Sequence, residues 1–227
     1  MNKRNFEKLS FEDKAYPISL RRLSGSLLPP DLWVAGNLGL LGRSSVGFCG
    51  SRKATEYGLT VAADCAEQLT DHDIVVTSGY AAGVDMAAHI SALRSGGSTI
   101  IVLAEGSNHF RIKRDIRDHW DWDRVLVLSY FPPEAVWRAD RAMGRNKAIV
   151  LLSGAVIVIE AGESGGTLNA GYVTLKEGKP LFVASYGDMD GTRSGNRRLI
   201  EEGGVPLMKS RETGKAQVNR ILRSVAH

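Results

Sequence analysis

The sequence predicts an α/β protein: a doubly wound, mostly parallel sheet of the extended Rossmann-like kind, with a short N-terminal strand extension. Three observations predict it. From Val46 onward, short apolar runs alternate with segments of helical periodicity. Those runs are apolar along their whole length, as strands covered on both faces must be. Glycine-bearing polar loops follow four of the runs: Gly50-Ser51-Arg52, Ser78-Gly79, Glu105-Gly106, and Glu160 through Thr167. In a parallel sheet such loops share the carboxyl edge, where ligands bind.

Taken in order, residues 1–15 are polar and charged and read as a loosely docked arm. Pro29-Pro30 blocks a helix, Leu32-Trp33-Val34 reads as a strand, and Gly36-Asn37 reads as a turn. Residues 1–45 are therefore expected to form an arm and extra strand on the main domain. That domain spans 46–208. Its strands are expected at Val46–Cys49, Ile74–Thr77, Thr99–Ala104, Val125–Ser129, Ala155–Ile159 and Leu181–Ser185, with an edge strand at Val205–Met208. Its helices are expected at Glu56–Leu69, Val84–Ser95, Ile112–Trp120, Ala139–Leu152, Thr167–Glu177 and Asn196–Glu202, and His119 to Asp123 reads as a solvated helix end. A glycine-rich loop joins Ser185 to Gly195. The tail, 209–227, is basic and amphipathic, with Val218, Ile221, Leu222 and Val225 on one face.

Bulk numbers narrow the class. No run approaches the roughly 18 apolar residues of a membrane-spanning helix, and the N-terminus lacks the apolar core of a signal peptide. A cytoplasmic location is expected. Two cysteines, Cys49 and Cys65, both in core elements, exclude a disulfide scaffold, and no His or Cys spacing suits a metal. No cofactor is expected: the G-x-G-x-x-G fingerprint and Walker A are both absent. The net charge of +4 is uneven: residues 1–45 carry +3 and residues 208–227 carry +4, leaving −3 for the body. Any anion site in the body must come from local clustering.

Gly50-Ser51-Arg52 is the first candidate. The turn leads from a strand toward a helix, so Gly50 permits close approach, and the Ser51 hydroxyl and free N–H groups can donate to a phosphate. Arg52 adds a bidentate cation beside Lys53. An ordinary strand-to-helix turn with a solvated Arg fits these residues equally. Gly165-Gly166-Thr167 opens a helix and reads as an anion nest, or else as a plain loop capped by Ser164 or Thr167. Arg138, Arg141, Arg145 and Lys147, with Asn146 beside them, are either a solvated basic face or, with Arg52, Arg111, Lys113 and Arg114, a phosphate-tracking stripe. His89 reads as a packed helix residue rather than a catalyst.

These residues resemble the DprA/Smf family of DNA-processing proteins. Pro29 to Asn37 resembles the family's P-P-x-L-[YW]-x-x-G, and Gly50 to Gly58 its G-S-R-x-A-[ST]-x-Y-G. Ser78 to His89 resembles S-G-x-A-x-G-[IV]-D-x-x-A-H, followed in order by Gly96 to Ile100, Phe131-Pro132-Pro133, Arg145-Asn146, Glu160-Ala161 and Gly195 to Ile200. The resemblance covers Tyr16 to Pro206 and implies a Rossmann-domain-only member. It implies a homodimer that binds and protects single-stranded DNA and assists loading of the recombinase RecA. It implies no catalysis. By position, Arg52, Arg145 and Asn146 contact DNA phosphates; Gly50, Ser51, Ser78 and Gly79 shape the pocket; Asp85 and Glu160 hold loops. Ala142-Met143 stand where the family carries Phe-Pro, leaving Trp137 or Tyr130 as the stacking aromatic. The alternative is a nucleotide sensor or a phosphoribohydrolase of the related LOG type. Ala170 stands at that enzyme's Glu position, which speaks against hydrolysis.

Overall fold

In the computed structural model the described residues are 5–23, 30–185 and 194–226. Pro29, the loop at 186–193 and His227 lie outside them. The fold is a mixed, mostly parallel sheet of nine strands in the order β1-β2-β6-β5-β4-β3-β7-β8-β9. The central strands are β3 (Ser45–Gly50), β4 (Val75–Ser78), β5 (Thr99–Val102), β6 (Val125–Ser129), β7 (Ala155–Ile159) and β8 (Leu181–Ala184), which are parallel and almost wholly buried. β9 (Val205–Leu207) closes one edge, parallel to β8.

Helices cover both faces. On one, α1 (Glu56–Thr70), α2 (Val84–Arg94) and α6 (Asn219–Val225) pack Val61, Cys65, Leu69, Ala88 and Ile221 against β3, β4 and β7. On the other, α3 (Ala139–Leu152), α4 (Gly166–Lys176) and α5 (Ser194–Glu201) bury Ile149, Leu151, Leu168 and Leu199. Both cysteines are free and buried, and burial pushes the Cys49 thiol up to about 12.

Three expectations are corrected. The N-terminal arm is not loose at 7–9: Glu7–Leu9 forms β1, antiparallel to β2 (Leu32–Gly36), with Leu9 buried. β2 in turn runs antiparallel to β6. Three residues are too few to show a period, so only the tertiary partner makes this strand visible. The helix expected over 112–120 is instead a short 3₁₀ stretch, Arg114–His119, pinned by buried Ile116. The supposed solvated end beyond it is partly core: Trp120 is buried, its ring 5.9 Å from Phe110 and 5.1 Å from Trp122.

The β2–β6 join depends on Gly36. Its φ of +112° is disfavoured for L side chains, and a Cβ there would overlap the Val125 carbonyl oxygen. Gly36→Ala is expected to destabilise the fold by about 2–3 kcal/mol in urea unfolding, since backbone rather than a movable side chain fills the space.

Candidate nucleic-acid interface

The strand order reverses direction between β3 and β7, and the candidate site lies beyond the carboxyl ends of those strands. At the end of β3, Gly50 packs too tightly for any side chain. A Cβ would collide with Val84 and stand 2.7 Å from the Ile159 carbonyl oxygen. The glycine is thus required by α2 and β7. The Ser51 N–H donates to that carbonyl at 3.3 Å, and Ser51 Oγ accepts from the Lys53 N–H at 3.1 Å. α1 starts only at Glu56, behind the N-cap Thr55, whose N–H donates to the Glu160 carboxylate at 2.9 Å. The helix starts at Glu56, as expected, and the Ser51 N–H of the turn is already engaged by the Ile159 carbonyl.

Across the turn, Arg145 of α3 is buried. Its guanidinium lies 3.2 Å from the Asp85 carboxylate, with both side chains 7% exposed. Asp85 also accepts from the Ala81 N–H at 3.2 Å. Gly79 makes room for this pair, because a Cβ there would fall inside the guanidinium. Arg145 Nε is buried with no hydrogen-bond partner among the described residues. Ser78 Oγ donates to the Phe48 carbonyl at 2.7 Å, tying β4 to β3. Beneath Gly79, His89 Nε2 donates to the Gly79 carbonyl and Nδ1 faces Thr99 Oγ1, both at 2.6 Å. Burial of the ring lowers its pKa to about 4.

These elements enclose a cleft of about 550 Å³. Along one side runs the start of α4, where Gly165 has φ +103° and no side chain caps the helix. Its first-turn N–H groups remain available to an anion. Asn146 Nδ2 holds this turn by donating to the Gly166 carbonyl at 2.9 Å. On the rim, the Arg52 guanidinium lies 5.0 Å from the centre of the Trp137 ring. Trp137 is 47% exposed and neighbours exposed Val136 and Met143. A second cleft of about 480 Å³ continues past Arg52, Trp137 and Arg145 to Tyr80, Arg111 and Lys113. There the Lys113 ammonium lies 4.4 Å from the Tyr80 ring centre, and burial lowers its pKa.

A family model described as DNA recombination-mediator protein A matches residues 7–217. The chain belongs to this family, the DprA/Smf DNA processing proteins. DNA processing protein DprA of Streptococcus pneumoniae is 32% identical over 200 residues, which are 87% of this chain and 70% of the relative. Its X-ray structure superimposes with a TM-score of 0.78, over 89% of this chain and 71% of that one. DNA processing protein A of Helicobacter pylori gives the same TM-score at 23% identity and 97% coverage of both chains. A molybdenum cofactor binding protein of Rippkaea orientalis, 20% identical, reaches 0.53 over 73% of this chain and 90% of its own, a likeness of fold.

Set against the DprA/Smf resemblance, the structure sorts the expected site residues. It brings Gly50, Ser51, Arg52, Asp85, Arg145, Asn146, Glu160, Gly165, Gly166 and Thr167 to one cleft. Ser78 and Gly79 lie beneath it rather than on its wall, and Lys53 is exposed outside it. Arg141 is also off the wall: it donates to the Val136 carbonyl and stacks over Phe131 at 5.7 Å. Arg145 lines the cleft as half of a buried ion pair, not as a free surface cation. Asp85 and Glu160 both accept backbone N–H groups of neighbouring loops. The expected site set omitted Tyr80, Ala81, Ser164 and Met143, although Ala81 stands at the fixed alanine of the Ser78 to His89 motif and Ser164 opens the glycine loop. Among the described residues no cluster of three or more His, Cys, Asp or Glu could hold a metal, and no helix is long and apolar enough to cross a membrane.

Two outcomes are expected. Arg145→Ala should lower stability by roughly 3–5 kcal/mol in chemical denaturation, because it leaves Asp85 buried and unpaired. His89 makes stability pH-dependent. Its folded pKa of about 4 lies below the ordinary 6.5, so between those values the unfolded chain holds a proton that the folded chain does not. The contribution is full above pH 6.5 and is lost as the pH falls toward 4. Between pH 7 and 4 the loss should be up to roughly 3 kcal/mol greater in the parent protein than in His89→Gln.

Proposed function

We propose that the cleft binds single-stranded DNA without catalysing a reaction on it. The observation that carries this reading is the pairing of Arg52 with an exposed indole, Trp137, on the rim of a cleft lined on one side by the uncapped start of α4. Cation and helix N-terminus suit backbone phosphates, and a half-exposed indole stacks on any base. The H. pylori structure concerns a single-stranded DNA binding mode of that protein, which supports the reading. Trp137 then takes the stacking role left open by Ala142-Met143, while Tyr130, whose pKa burial raises, sits beside Phe131 at 4.2 Å. Ala170 is buried on α4 and supplies no carboxylate, which disfavours a phosphoribohydrolase.

On this reading residues 46–208 carry the site, while the arm and extra strand of 1–45 and the basic tail of 209–227 are appendages to it. The chain acts as a homodimer in the cytoplasm, protecting single strands and passing them to RecA. Sedimentation of the free and DNA-bound chain tests the dimer, and a pull-down with RecA tests the transfer.

Arg52→Ala should weaken binding of a single-stranded oligonucleotide and lower the slope of log K against log salt by about 0.7, one phosphate contact. Trp137→Ala should weaken binding by about 1–3 kcal/mol while leaving that slope unchanged, since stacking releases no counterions. Fluorescence anisotropy across a salt series measures both, and unchanged affinity in both variants would refute the cleft assignment.

A further inference from the structure

The basic C-terminal segment does not hang free. After β9 the chain turns back on itself: Lys209 and Ala216 form an antiparallel bridge, the Ser210 N–H donates to the Lys215 carbonyl, and the Gln217 N–H donates to the Met208 carbonyl, both at 2.8 Å. α1 holds this hairpin from the side. The Ala216 N–H donates to the Asp64 carboxylate at 2.6 Å, and Gln68 Nε2 donates to the Ala216 carbonyl at 3.0 Å. Ala216 and Val218 are buried, so the apolar positions face the core, while Lys209, Arg211 and Lys215 are exposed. These cations have little structural work. Among the described residues no carboxylate forms an ion pair with Lys209 or Arg211, and Lys215 has only Glu67, at 4.0 Å. Glu212 is the one acid within the hairpin.

The hairpin starts at the sheet edge that carries the cleft. β9 is parallel to β8, so its carboxyl end, Leu207, lies on that edge. The Lys209 ammonium is 5.7 Å from the ring centre of Tyr57, in the first turn of α1. Tyr57 is two residues from Thr55, which Glu160 of the cleft wall holds. Cleft and hairpin are thus joined through the start of α1.

We propose that Lys209, Arg211 and Lys215 extend the cleft into a track for the phosphate backbone of a single-stranded nucleic acid. This rests on the reading of the cleft given above. A single strand suits the path because it can leave a concave site and bend over the start of α1, which a stiff duplex cannot follow. The track supplies affinity that depends on strand length and salt, with no base preference.

The test compares the full chain with Lys209→Gln/Arg211→Gln/Lys215→Gln, and with the charge-keeping Lys209→Arg/Arg211→Lys/Lys215→Arg. Oligothymidylates of about 6 and about 24 nucleotides serve as probes over a salt series. The Gln variant should bind the short probe as the parent does. It should lose about fivefold or more on the long probe at low salt, with a slope lower by about 2, and the charge-keeping variant should restore both. An unchanged long-probe affinity and slope in the Gln variant, with Arg52→Ala still weakened, overturns the track and leaves the cleft reading standing. Equal loss on both probes overturns it as well, since the hairpin would then act through the fold. Failure of Arg52→Ala to weaken either probe overturns the cleft reading and the track with it.

Discussion

The buried pair of Arg145 and Asp85 is the constraint on which the site depends. It joins α3 on one face of the sheet to the start of α2 on the other, across the carboxyl ends of the central strands. Asp85 also fixes the loop after β4 through the Ala81 N–H. Charges this well shielded demand a partner, so the three elements cannot shift independently. The glycine under the guanidinium and the histidine under that glycine extend the same constraint into the core.

A second consequence is electrostatic. The body carries a net charge of −3, so it offers no general field for a polyanion. One of the clustered arginines, Arg145, is neutralised by Asp85, and a second, Arg141, is turned to a carbonyl and a phenyl ring. Lys113 is likewise turned to the Tyr80 carbonyl and ring, so what remains at the cleft is local: Arg52 over an indole and the peptide dipoles at the start of α4. Groups of this kind act within a few ångströms and are screened beyond about 10 Å. On the reading proposed above, such a site takes an anion delivered to it rather than steering one from afar, and the proposed track on the C-terminal hairpin would supply the missing cations.

The strand-helix alternation was legible because each central strand is an unbroken apolar run, and a doubly covered sheet requires that. The clustering of Gly50-Ser51-Arg52 with Glu160 to Thr167 was legible for a related reason: loops at the carboxyl ends of neighbouring parallel strands must meet. Glu7–Leu9 and the Arg114–His119 turn were not legible, because short elements owe their form to partners distant in sequence. Trp120 looked like surface for the same reason; its aromatic neighbours Phe110 and Trp122 appear only once the chain is folded.

By itself, then, the sequence determined the fold class, the sheet edge that carries the candidate cleft and the family resemblance, since these follow from periodicity and from motifs read in chain order. The tertiary structure alone decided what each motif residue packs against. Gly50 and Gly79 answer to side chains packed against them, Arg145 to a carboxylate sixty positions earlier, and Arg52 to an indole on another element. A cation's role depends on how far it is buried and what it faces, and both are set by packing between elements that local sequence does not encode.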